Sequence, residues 1–150
     1  MVEIDSNAIL VEPIKNRTDA ELTRSYRAMM LQLKHSGIVP QKHILDNEVY
    51  TAMKTIIRDE YKIKMELVLP GYHRLDAAEA AIQNFKARLL SVLEVTAEGF
   101  LPYLWDRLLP QSEVTLNLLR HSNEAPSVSA YTPSQRVIRL QQDSTGPNGM

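Results

Sequence analysis

Two short apolar runs, residues 42–46 and 62–69, flank a helical run, and that order restricts the fold more than any other feature. Residues 62–69 set Ile63, Met65, Leu67 and Leu69 against Lys62, Lys64 and Glu66, a two-residue period that gives a strand one polar face. Only Val68 breaks it. Lys42–Asp46 is expected as a strand from its position between two helices. Residues 48–60 place Val49, Met53, Ile56 and Ile57 on one helical face. Two strands joined through a helix pair in parallel, because the crossover returns the chain to the end of the sheet it left. The expected class is therefore α/β, with helices packed on a sheet.

The flanking segments extend this pattern. Residues 2–5 and 8–14 are expected as a hairpin, with Asp5-Ser6-Asn7 in the turn, where short polar side chains bond their own backbone. Pro13 puts the far end of the second strand at an edge, since it donates no backbone hydrogen bond. Thr18-Asp19-Ala20-Glu21 matches a capping box, in which hydroxyl and carboxylate each satisfy a free N–H. The helix it opens should run to about His35, with Leu22, Tyr26, Met29, Met30 and Leu33 inward. Gly37 and Pro40 then stop it. A loop at 70–74 leads to a long helix from about Leu75 to Thr96, with Ala78, Ile82, Phe85, Leu89, Val92 and Leu93 on its apolar face. Pro102 should open a further helix with Trp105 and Leu108 inside, interrupted at Pro110 and resumed over 114–119. Residues 122–150 are rich in Ser, Pro, Thr, Gln and Asn, and read as a disordered tail with too little apolar surface to offset ordering.

A chain of 150 residues with 44% hydrophobic content suits one domain, here residues 1–121, with an ordinary core. Its net charge of −1 provides no global field to draw in a polyanion. The absence of cysteine excludes a disulfide framework and thiolate zinc sites, and fits a reducing compartment. Neither a basic, apolar leader nor a span of about 20 apolar residues is seen. The expected setting is intracellular, nuclear or cytoplasmic, without a membrane partner. The four histidines lack the paired spacing of a zinc helix, and there is no Gly-rich phosphate loop or Gly-x-Ser-x-Gly elbow.

The strongest chemical signal is a pair of acids. Asp46 ends the first strand of the crossover and Glu79 stands near the start of the long helix. Two-metal phosphoryl transfer needs carboxylates, because Mg²⁺ prefers hard oxygen ligands. Two such ions clamp the attacking and leaving oxygens. The plainer account of Glu79 is a first-turn acid facing the positive end of the helix dipole. His73 and Arg74, in the loop before that helix, are candidate phosphate contacts, or simply solvated. A local excess of Lys15, Arg17, Arg24, Arg27, Lys34 and Lys42 over Asp19 and Glu21 offers a nucleic-acid surface, or an ordinary solvated helix. Trp105 is expected in the core.

The order of these elements resembles the integrase catalytic core of copia-type LTR retrotransposons, which has a ribonuclease H-like fold. The resemblance runs over roughly residues 2–121. Ile44-Leu45-Asp46-Asn47-Glu48 is similar to that family's Thr-Asp-Asn-Gly-Gly-Glu segment, and Pro70 with Asp76-Ala77-Ala78-Glu79 to its proline-led loop and Asn-Gly-Val-Ala-Glu. Leu101-Pro102-Tyr103-Leu104-Trp105 and Asn117-Leu118-Leu119-Arg120 resemble its later Pro-x-x-x-Trp and Leu-Leu-Asn-Arg segments. The resemblance implies a mixed sheet flanked by helices but lacking the first strand. It makes Asp46 and Glu79 the second and third catalytic acids, holding Mg²⁺ or Mn²⁺ weakly. It sets His73, Arg74 and Lys86 near DNA, the partners being retroelement ends and target DNA, with a homo-oligomer compatible. The family's first catalytic Asp belongs to a strand this sequence does not contain, so the chain resembles a truncated, decayed core expected to be inactive. Ala80, Ala81 and Ile82 replace the basic residues that follow the family's Glu. The alternative class is a non-catalytic α/β interaction module, or a remnant without a cellular role.

Overall fold

The computed structural model describes residues 1–46, 49–68, 74–96, 99 and 102–131, with backbone alone for 74–77 and 102. In it the crossover forms. Strand β1 (Lys42–Asp46) lies parallel to β2 (Lys64–Val68), in register from Lys42 opposite Lys64 to Asp46 opposite Val68. Helix α2 (Thr51–Thr55) runs directly into a π-helical turn, Ile56–Glu60, and the two form the crossover. The widened turn is visible in its bonds: the Tyr61 N–H reaches back to the Ile56 carbonyl (3.2 Å), and that of Ile63 to Ile57 (3.1 Å). Lys62, with φ of 55°, then turns the chain into β2.

Helix α1 (Asp19–His35) covers this crossover. Its start is half a capping box. The Thr18 hydroxyl accepts from the Glu21 N–H (3.4 Å), but the Glu21 carboxylate accepts from Arg24 Nε (2.7 Å) rather than from Thr18. A guanidinium is the stronger donor to a carboxylate, and Asn16 takes the Thr18 N–H instead (3.1 Å). The end matches expectation. Gly37 at φ 74° lets the Ile38 N–H bond Leu33 (2.9 Å) and its own N–H bond Lys34 (3.0 Å), a Schellman pair. Beneath α1, Leu10, Tyr26, Met30, Leu33, Ile57 and Ile63 form the core.

In place of the expected mixed sheet with a hairpin, the described residues form a two-stranded parallel sheet and two isolated bridges, Val2 opposite Ile9 and His121 opposite Ser129. The second arm of the hairpin bonds the first arm along one edge, Leu10 with Met1 in both directions (2.9 Å) and the Glu3 N–H with the Ala8 carbonyl (2.8 Å), and side chains along the other. Helix α4 (Leu109–Leu119) presents Asn117, whose Oδ1 accepts from the Ile9 N–H (2.9 Å) and whose Nδ2 donates to the Ile9 carbonyl (2.8 Å). One turn back, Glu113 accepts from the Val11 N–H (2.9 Å) and from Gln32 of α1 (2.6 Å). An amide offers one donor and one acceptor, as a backbone residue does, so α4 replaces a neighbouring strand.

Helix α3 (Arg74–Glu94) packs chiefly on α4. Its expected apolar face is only partly realised: Phe85, Leu89, Val92 and Leu93 are half-buried, Ala78 and Ile82 are exposed, and the buried residue is Ala81, outside that face. Trp105, expected in the core, is 41% exposed in a 3₁₀ segment, Pro102–Leu108, and Leu109 is buried in its place. The tighter 3₁₀ turn shifts the inward position away from the α-helical spacing assumed for Trp105. Pro110 lies at the start of α4 instead of interrupting a helix, where a missing N–H costs nothing. Of the stretch expected as a tail, residues 122–131 pack against the hairpin turn. Ser122 and Ala130 are buried, the Asn123 amide donates to Ile4 (2.7 Å), and the Glu124 N–H donates to Asp5 (2.9 Å). Residues 132–150 lie outside the described residues.

Candidate metal-binding edge

Asp46 is the last residue of β1, level with Val68 at the end of β2, so both strands finish at one edge. Its side chain is exposed. In parallel α/β sheets this carboxyl edge is where ligands bind, because strand ends and the loops after them converge there. Glu79 is also exposed, and it is the sixth residue of α3, which begins at Arg74, one residue before the expected start. The helix dipole acts within the first turn, so Glu79 is poorly placed as a mere dipole partner. The helix that carries it rests on α4 and touches the sheet little.

Asp46 and Glu79 are hard oxygen donors, and neither engages an ion pair among the described residues. Carboxylate oxygens are the donor type that Mg²⁺ and Mn²⁺ take. Among the described residues no three His, Cys, Asp or Glu side chains come together to hold a metal ion. Asn47 and His73 lie outside the described residues, and Arg74 is described only as the first backbone residue of α3. Lys86 is exposed, two turns beyond Glu79. It borders an apolar hollow of about 310 Å³ lined by Val2, Ile9, Met29, Ile82 and Phe85, with Glu12 also on the lining.

Half of the basic excess around α1, three of the six residues, is paired with the protein's own acids. Arg24 bonds Glu12 and Glu21, both at 2.7 Å, and donates to the Pro13 carbonyl (2.6 Å). Arg27 forks onto Glu60 (2.8 Å), and Lys42 pairs with Glu66. A side chain so engaged is a weaker phosphate ligand, and all of these acids except Glu21 lie outside α1, where charge counting on that helix ignores them.

Two polar groups escaped the sequence reading. His43, on β1, is half-buried, with its Nε2 2.8 Å from the Tyr26 hydroxyl and its ring edge-on to that of Tyr26. Burial pushes its pKa below the ordinary imidazole range and raises that of the Tyr26 hydroxyl, with Tyr61 and Glu60 adding to the rise. The pair is a neutral bolt between α1 and β1. Glu113 is buried in the α4 seam, and burial raises its carboxyl pKa against the opposing effect of bonds from Gln32 and Val11. The one available signal was its four-residue spacing from Asn117, which puts two polar side chains on one helical face.

Compared with known protein families and with curated protein sequences, the chain matches none. No helix among the described residues is long and apolar enough to cross a membrane.

Proposed function

We propose that residues 1–121 are a partial integrase-type polynucleotidyl transferase core, of ribonuclease H-like descent. Asp46 and Glu79 are its second and third acids, and DNA is its ancestral substrate. The observation that carries this reading is Asp46, exposed and, among the described residues, without an ion pair, at the carboxyl edge of a parallel strand pair. Glu79 supports it as an exposed acid beyond the first turn of the next helix. The two carboxylates would hold Mg²⁺ or Mn²⁺ weakly, since a pair of ions in near-octahedral sites needs more ligands than two side chains supply. Lys86 and the segment with His73 and Arg74 would lie toward the DNA backbone. The protein's own contribution is to hold both acids on regular elements.

The test is a Mn²⁺ titration followed by paramagnetic broadening of backbone amides. Broadening should centre on residues 44–46 and 78–80 and disappear in Asp46→Asn and Glu79→Gln. Joining an upstream strand that carries an Asp should restore strand transfer on a DNA substrate, and the 150-residue chain alone should show none. Unchanged metal and DNA binding in both variants would remove the catalytic reading.

A second reading, a non-catalytic interaction module, draws on the apolar surface of α3 and α4. Ile82, Leu90, Leu118 and Leu119 all stand exposed.

A further inference from the structure

A two-stranded parallel sheet is an uncommon end-point, because parallel sheets normally continue on both sides and are covered on both faces. Here β1 bonds β2 on one side and, among the described residues, no strand on the other. The direction of its backbone groups follows from one bond. The Lys64 N–H donates to the Gln41 carbonyl (3.1 Å), so Gln41, His43 and Leu45 turn their N–H and C=O groups toward β2. By the alternation of a strand, Lys42, Ile44 and Asp46 turn theirs to the open edge. The same three residues share one face of the sheet, and all three are exposed, Ile44 at 39%.

We propose that this edge is a self-association surface whose occupant is β1 of a second copy, paired antiparallel about a two-fold axis at Ile44. The sequence Lys42-His43-Ile44-Leu45-Asp46 is charge-complementary to itself when reversed. Antiparallel pairing centred on Ile44 sets Ile44 beside Ile44 of the second copy in a hydrogen-bonded pair. It also places Lys42 beside Asp46 of the second copy at both ends. Each interface residue thus meets its symmetric mate, as an isologous dimer requires. Opposite charges directly across a ladder are stabilising and like charges destabilising. A lysine on an edge strand ordinarily prevents pairing, and an acid at the symmetric position turns that obstacle into a selector for a single register. Lys42 already has Glu66 beside it on the same face, and both side chains remain solvent-accessible enough to admit a further partner. A parallel alignment or a slip by two residues loses the two charge pairs.

This inference does not rest on the metal reading, although Asp46 enters both, and it is tested without metal. A five-residue strand buries little area, so association should be weak, with a midpoint of roughly 0.1–1 mM by sedimentation. Lys42→Asp alone gives each chain acids at both ends of the strand, and Asp46→Lys alone gives lysines at both ends. Each variant should weaken self-association about tenfold or more. Two mixtures should recover it: the double variant Lys42→Asp/Asp46→Lys with itself, and the two single variants with each other. Hydrogen exchange of the unmodified chain gives a readout free of substitutions. The Lys42 and Ile44 amides should gain protection with rising protein concentration, whereas those of His43 and Leu45 stay protected throughout. A chain that stays monomeric at about 1 mM, single variants that associate as well as wild type, or swapped charges that fail to restore association would each overturn the proposal.

Discussion

The core beneath α1 and the seam between α4 and the N-terminal hairpin hold the chain by opposite means. In the first, Tyr26, Met30 and Leu33 from one helix close over Ile57 and Ile63 from the crossover, and the stabilisation is removal of apolar surface from water. In the second, Asn117, Glu113 and Arg120 bond backbone groups of Ile9, Val11 and Asn7 more than 100 positions away in sequence. Apolar contact is non-directional and tolerates repacking. The seam depends on a few directed bonds, and losing one leaves a buried group unpaired.

That contrast orders the effects of substitution. Ile57→Ala should be the most damaging, since Ile57 is fully buried. Urea denaturation should show a loss of about 3–4 kcal/mol, the usual cost of removing a large aliphatic group from a packed site. Asn117→Ala should cost about 2–3 kcal/mol by stranding both polar groups of Ile9. Its distinguishing mark would be loss of hydrogen-exchange protection at Ile9, with the amides of α1 unaffected. Equal losses of protection across α1 and the hairpin would dissolve the distinction between the two regions.

A smaller effect comes from Glu113. Its folded pKa lies above the ordinary 4.5 through burial, so the folded chain holds that proton to higher pH than the unfolded chain does. The contribution to stability is complete below pH 4.5 and is lost as pH rises through the folded-state value. Glu113→Gln should flatten this part of the stability–pH curve, and an identical slope in the variant would place the titration elsewhere. Arg27→Ala should produce the least change. The Arg27–Glu60 pair is exposed at the protein surface, where such pairs contribute little, and the urea midpoint should stay within error.

The legibility of the two regions differs in the same way. Tyr26, Met30 and Leu33 declare themselves by helical spacing, and Gly37 with Pro40 marks where the helix must end. The parallel pairing of β1 with β2 follows from the helix between them. The polar seam left little trace. Asn117 and Glu113 look like solvated helix residues until the hairpin arm is set beside them. The same holds for Ser122 and Ala130, in a stretch whose composition suggests no packing at all. Of the candidate site, Asp46 at a strand end was readable, and Glu79 was placed on the right helix but in the wrong turn. The charges around α1 were readable as cations, though not as partners of Glu12, Glu60 and Glu66.

The sequence alone determined the elements governed by neighbours within a few positions: the α1 boundaries, the crossover, and the strand end at Asp46. These rest on backbone geometry and side-chain periodicity, which act locally. Tertiary structure decided what a side chain faces across the fold. It exposed Trp105 and part of the apolar face of α3, set side chains of α4 along the hairpin's second arm, paired half of the basic residues around α1 with acids, and, among the described residues, left one edge of β1 without a partner strand. Each of those outcomes depends on which distant group arrives to bury, bond or neutralise, and no local period encodes that.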